Sequence, residues 1–161
     1  MIVIEPIPLL RDNYAWVIHD GAEAVIVDPS YAEADQPAPI LAWLDARRIR
    51  PRAILLTHHH RDHVGGVAYI AATHPVEVYG PASIAGVTRT VGDGTVITLS
   101  APGVCFKVLA VPGHTLDHLA YLYGSHLFCG DALFSCGCGR VFEGTPAMMQ
   151  ASLARLAALP D

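Results

Sequence analysis

The 161 residues are 52% hydrophobic and 16% charged, which is enough apolar chain for one packed core, and the net charge is −5. That balance disfavours nucleic-acid binding, which needs basic surface. No apolar stretch approaches the roughly 20 residues that span a bilayer, and the apolar start Met1–Leu10 holds Glu5, Pro6 and Pro8 without a basic leader, so a cytosolic protein with no membrane segment is expected.

Met1–Leu10 reads as a strand. Tyr14–His19 and Ala24–Val27 are β-rich runs around Asp20-Gly21, a hairpin signal. A helix is predicted over Pro39–Arg48, followed by an apolar strand Ala53–Leu56 that runs into a histidine cluster. Val64–Thr73 reads as helix; Val76–Tyr79, Val96–Leu99 and Cys105–Val111 read as strands. Tyr121–Tyr123 and Leu127–Cys129 flank Gly124-Ser125 as a second hairpin, and Pro146–Leu159 is a last helix. Helices alternating with strands predict an α/β fold, and the two hairpins predict mixed rather than purely parallel sheets. Cys105, Cys129, Cys136 and Cys138 are read as reduced thiols, with the Cys136-x-Cys138 spacing taken as two thiols in a Gly-rich turn.

Thr57-His58-His59-His60-Arg61-Asp62-His63 gives H-x-H-x-D-H at the end of a buried strand. Near-extended backbone sends alternate side chains the same way, so His58 and His60 face one ion while His59 points elsewhere. The turn into the following helix offers Asp62 and His63 to a second ion. Four ligand-type residues in six positions are costly to place in a core unless a metal compensates them. Two further segments present a ligand at a strand end: His114 in Pro112–Thr115 and Asp131 after Gly130. His118 reads as a supporting residue, and His19, His74 and His126 as ordinary histidines.

Thr57–Gly66 (THHHRDHVGG), Gly113–His118 (GHTLDH), Gly130–Phe134 (GDALF), Gly137–Thr145 (GCGRVFEGT) and Asp12-Asn13-Tyr14 together resemble bacterial glyoxalase II, the hydroxyacylglutathione hydrolases of the metallo-β-lactamase superfamily. The resemblance covers essentially the whole chain. It implies the αβ/βα sandwich of that superfamily, with residues 1–161 as the catalytic domain. It implies that His58, His60 and His114 bind a first divalent ion, that Asp62 and His63 bind a second, and that Asp131 bridges them. The metals implied are two zinc ions, with iron or manganese compatible. The family continues beyond an L-P-D sequence with a further histidine ligand and a helical substrate-binding domain. This chain stops at Leu159-Pro160-Asp161, so a truncated catalytic domain is expected.

The resemblance further implies a thioester hydrolase. Water activated by two ions would cleave S-(2-hydroxyacyl)glutathione, such as S-lactoylglutathione, to a 2-hydroxy acid and glutathione, with Asp62 and Asp131 as the catalytic carboxylates. Arg140 is placed to grip a glutathione carboxylate. Phe142 stands where relatives often carry tyrosine, so a hydroxyl contact to substrate is forgone. The protein is expected to act as a monomer on this small molecule. Two alternatives stay open: an oxidoreductase of the persulfide dioxygenase type, with one iron on two histidines and an aspartate, and an inactive metal-binding fragment. A β-lactamase is disfavoured by Asp131, and a tRNA-processing nuclease by the acidic balance.

Overall fold

The computed structural model describes residues 1–30 and 39–160. Its layers follow from the alternation of side chains along the central strands. In β3 (Glu23–Val27) all five residues are buried, with Ala24 and Ile26 on one face and Val25 and Val27 on the other. β4 (Arg50–Leu55) divides the same way, Ile54 against Ala53 and Leu55. Both strands are therefore covered on both sides.

β1 (Val3–Leu9), β2 (Asn13–His19), β3, β4, β5 (Glu77–Gly80) and β6 (Arg89–Thr90) form one six-stranded sheet in chain order. The first three pair antiparallel and the last four parallel. β7 (Val96–Ser100), β8 (Gly103–Ala110), β9 (Leu119–Tyr123) and β10 (His126–Phe128) form a second sheet that is antiparallel throughout, rather than mixed like the first. Two-residue links, Ala101-Pro102 and Gly124-Ser125, make hairpins of β7–β8 and β9–β10, which only antiparallel neighbours can be.

Helices α1 (Pro39–Arg47) and α3 (Val67–Thr73) cover the outer face of the first sheet with Ile40, Leu44 and Ile70. Its inner face meets Phe106, Val108 and Tyr121 of the second sheet. α4 (Pro146–Ala157) closes the far side through Leu156 on Leu109 and Ala120. It begins at Pro146 because Thr145 caps it, its hydroxyl accepting from Met148 N at 3.2 Å. The order is helix, sheet, sheet, helix.

The predicted helix Val64–Thr73 is divided: α2 (Arg61–Val64) ends and α3 begins across Gly65-Gly66. Gly66 N donates to Pro29 O at 2.6 Å, and a Cβ there would run into the Pro29 and Ser30 carbonyls. A side chain is excluded by this close backbone approach. β6, only two residues long, has too little periodicity to be read from sequence.

Two hydrogen bonds pin the sheets together where β4 ends. Leu119 N donates to Thr57 O at 2.9 Å, and the fully buried Tyr121 hydroxyl donates to Leu56 O at 2.6 Å. Burial pushes the Tyr121 phenol well above its ordinary pKa, so it stays a donor. Among the described residues no helix is long and apolar enough to cross a membrane.

Candidate metal centre

The C-terminal ends of β3, β4, β8 and β10 open on one edge of the sandwich, and each delivers polar side chains there. β4 leads to His58, His60 and, on α2, Asp62 and His63. β8 leads to His114, and β10 to Asp131.

His58 Nε2 lies 3.1 Å from His60 Nδ1, and His114 Nε2 lies 2.9 Å from the same atom. Outer partners assign the tautomers. His114 Nδ1 is 2.7 Å from the Arg140 carbonyl, which can only accept, so Nδ1 carries the proton. The Thr57 hydroxyl donates to Asp28 Oδ2 at 2.6 Å, so at 3.0 Å it accepts from His58 Nδ1. In the neutral rings both Nε2 atoms are therefore bare lone pairs aimed at His60 Nδ1, which has at most one proton for two acceptors. A cation at their centre satisfies all three nitrogens. A tetrahedral ion with bonds of about 2.0–2.1 Å separates its ligand nitrogens by about 3.3 Å, so the trio needs to open by only a few tenths of an ångström.

Asp131 faces both halves of the site. Its Oδ1 lies 3.1 Å from His63 Nε2 and its Oδ2 lies 3.3 Å from His114 Nε2. His63 Nδ1 donates to Asp28 Oδ2 at 3.0 Å, so a neutral His63 would turn a lone pair on a carboxylate. Burial opposes charge on His63, but hydrogen bonds to Asp131 and Asp28 outweigh it and raise its pKa to about 10. In the metal-free protein a proton thus stands where a cation would sit. Burial by itself would raise Asp131, yet His63 and His114 hold it below the usual carboxylate range. Burial, with neighbouring imidazoles, keeps His58 neutral and lowers His60.

Among the described residues two groups of donor atoms have the spacing a metal requires: His58, His60 and His114, and His58, His63 and Asp131. Asp62 stands beside the second group rather than in it. Its Oδ2 is 3.6 Å from His63 Nε2 because Asn13 Nδ2 holds it at 3.0 Å. His59 turns away, as alternation requires, toward Glu143 Oε1 at 3.1 Å. His118 is fully buried and stacked on His58, centroids 4.6 Å apart. Its Nδ1 donates to Leu119 O, and burial lowers its pKa to about 4.

A cleft of about 710 Å³ adjoins the second group, lined by Asn13, Tyr14, Asp62, His63, Asp131 and Phe134 among others. Among the described residues four carboxylates line it, Asp12, Asp28, Asp62 and Asp131, with no Lys or Arg. An anionic ligand enters such a cleft only when cations neutralise it. Arg140 and Phe142 are not in its wall. Phe142 sets its ring 5.5 Å from His60 and 5.3 Å from His114, and the Arg140 guanidinium carbon lies 5.6 Å from the Phe142 ring.

Sequence reasoning missed Asp28, which orients His63 directly and, through Thr57, the His58 that both groups share. A signal existed, since Asp28 follows the apolar run Val25–Val27 just as Asp131 follows a strand. Asn13 was read as part of a motif and not as the residue that holds Asp62.

The αββα sandwich with these strand-end histidines and carboxylates defines a class. The family model for the Metallo-beta-lactamase superfamily matches residues 9–100, and the chain belongs to that superfamily. Within it, a hydroxyacylglutathione hydrolase of Cupriavidus taiwanensis is 49% identical, aligned over 99% of this chain and 64% of its own length. The chain spans 60–64% of the length of the curated relatives of that name, to which it is 43–52% identical. Among solved structures, the B3 metallo-beta-lactamase BLEG-1 matches with a TM-score of 0.86 at 28% identity, covering 99% of this chain and 88% of that one. TTHA1623, solved in a di-iron-bound form, matches with a TM-score of 0.78 at 31% identity, covering 97% and 87%.

Proposed function

We propose that this chain is the catalytic domain of a hydroxyacylglutathione hydrolase, cleaving an S-(2-hydroxyacyl)glutathione such as S-lactoylglutathione to a 2-hydroxy acid and glutathione. The observation that carries the reading is the double engagement of Asp131, one oxygen toward His63 and the other toward His114. His58, His60 and His114 would hold one divalent ion, Asp62 and His63 the other, and Asp131 both. Zinc suits these donors, and so do iron and manganese. When bound, the two ions lower the pKa of water toward about 7 and polarise the substrate carbonyl.

Asp62, half exposed to the cleft and held by Asn13, orients the attacking water by accepting its hydrogen bond. Asp131 keeps its charge because His63 and His114 surround it. Asp28 and the Arg140 carbonyl fix the tautomers of His58, His63 and His114, so their lone pairs stay turned inward. The leaving group is a thiolate with a pKa near 8.5, so no protein acid is required. The exposed Arg140 guanidinium would pair with a glutathione carboxylate. A reducing, cytosolic setting belongs to the same reading, and the four unpaired thiols agree with it.

The test measures metal content and turnover together on protein loaded with zinc, iron or manganese. The reading requires two ions per chain and thioester cleavage without oxygen uptake. One iron per chain with oxygen consumed would replace it by the dioxygenase alternative, and bound metal with no turnover would support a metal-binding fragment.

A further inference from the structure

Glu143 joins three loops that meet at the candidate centre, and none of the chemistry above uses it. Its Oε1 is 3.1 Å from His59 Nε2, on the loop that carries His58 and His60. Its Oε2 accepts from Leu116 N at 3.0 Å, two residues beyond His114. Its own segment lies over His114: Phe142 N and Glu143 N donate to His114 O, Gly144 N donates to Gly113 O, and the Arg140 carbonyl takes the His114 Nδ1 proton. On its other side His59 Nδ1 lies 3.9 Å from Asp117 Oδ1, and Asp117 is bonded through its second oxygen to Ser83.

The side chains of His59 and Glu143 are only 37% and 35% exposed. His58 and His60, on either side of His59, converge on one point with His114. A bridge from His59 to the segment lying over His114 therefore controls how far apart the three imidazoles stand. We infer that Glu143 is a positioning residue that, through His59 and Leu116 N, sets the spacing of His58 and His60 relative to His114. This rests on the metal reading above. A carboxylate meets both partners at once, one oxygen taking an imidazole N–H and the other a backbone N–H. Removal of a partner that orients metal ligands lowers metal affinity by about 10–100-fold. Because the bridge acts one bond beyond the ligands, the lower end of that range is expected.

The experiment compares zinc affinity, by competition with a chromophoric chelator, for wild type, Glu143→Ala, Glu143→Gln, His59→Ala and the double alanine variant. Unfolding of each metal-free protein is followed in parallel. Glu143→Ala should bind the first ion about tenfold more weakly with little change in metal-free stability. Glu143→Gln should recover most of the loss, because it keeps an acceptor for Leu116 N and His59 can change tautomer. His59→Ala should lose less than Glu143→Ala, and the double variant little more than Glu143→Ala, because the 3.1 Å bond to that carboxylate is the closer of its two carboxylate contacts.

Wild-type affinity in Glu143→Ala, or losses that add in the double variant, would overturn the inference. If Glu143→Ala does not fold, His59→Ala decides alone, with wild-type zinc affinity as the refuting result. A wild-type protein that binds no metal would instead refute the metal reading on which the inference rests.

Discussion

Asp28→Asn separates an oriented metal site from a mere cluster of histidines. Asp28 sits at φ 50°, a left-handed conformation that asparagine tolerates, so the substitution adds no backbone strain. The retained oxygen can still accept from Thr57 N, now 2.8 Å from Oδ1. The new amide replaces Oδ2, which receives the Thr57 hydroxyl at 2.6 Å and His63 Nδ1–H at 3.0 Å, so donor would meet donor. To escape, His63 must give up its Nδ1 proton and keep the one on Nε2, and Thr57 must reverse its hydroxyl, which moves the His58 proton to Nε2 as well. Each histidine then presents N–H, instead of a lone pair, to the place where an ion would sit. At about 10–100-fold per misoriented ligand, the two ions together should bind about 10²–10⁴-fold more weakly. Losing the bond between His63 and a charged acceptor costs about 1.5–3 kcal/mol. In a domain of this length that lowers the metal-free Tm by about 3–12 °C. Zinc affinity by chelator competition, thermal unfolding without metal, and histidine ¹⁵N shifts that report the tautomers check each part. Wild-type zinc affinity in Asp28→Asn, with the shifts unmoved, would refute the tautomer argument.

Stepwise zinc titration should show a tighter first ion, because His58, His60, His114 and Asp131 offer four donors while Asp62 and His63 add only two to the shared Asp131; two equal sites by calorimetry would contradict this. Zinc held at about a hundred times its dissociation constant should stabilise the fold by about 2.7 kcal/mol, and chelation should reverse the gain in a melting curve. Tyr121→Phe should cost about 1–2 kcal/mol in denaturant unfolding, since Leu56 O loses its buried donor, while zinc affinity stays near wild type. Gly139→Ala should weaken zinc binding, because a Cβ there meets the Asp131 carbonyl and lies 3.0 Å from His114 Nδ1; unchanged affinity would mean that the loop yields freely. Arg140→Ala should raise KM about tenfold for glutathione thioesters with kcat kept, and should leave a simple thioester unaffected.

The strands around Asp20-Gly21 and Gly124-Ser125, the helix after Thr145, and the H-x-H-x-D-H run were legible because each rests on short-range chemistry. Turn geometry, capping and side-chain alternation are settled within a few residues. His59 turning away from its neighbours follows from the same local rule. Other features depended on distance in space. The second sheet is wholly antiparallel because of which strands pair, and the helix predicted from Val64 breaks because Gly66 must pass the Pro29 carbonyl, 37 residues earlier in the chain. At the candidate centre, sequence supplied the residue types and their order, but the tautomers of His58, His63 and His114 were decided by Asp28, Thr57 and the Arg140 carbonyl. A lone pair has a direction only once its ring is held, and these rings are held by partners that tertiary packing brings from other strands and loops.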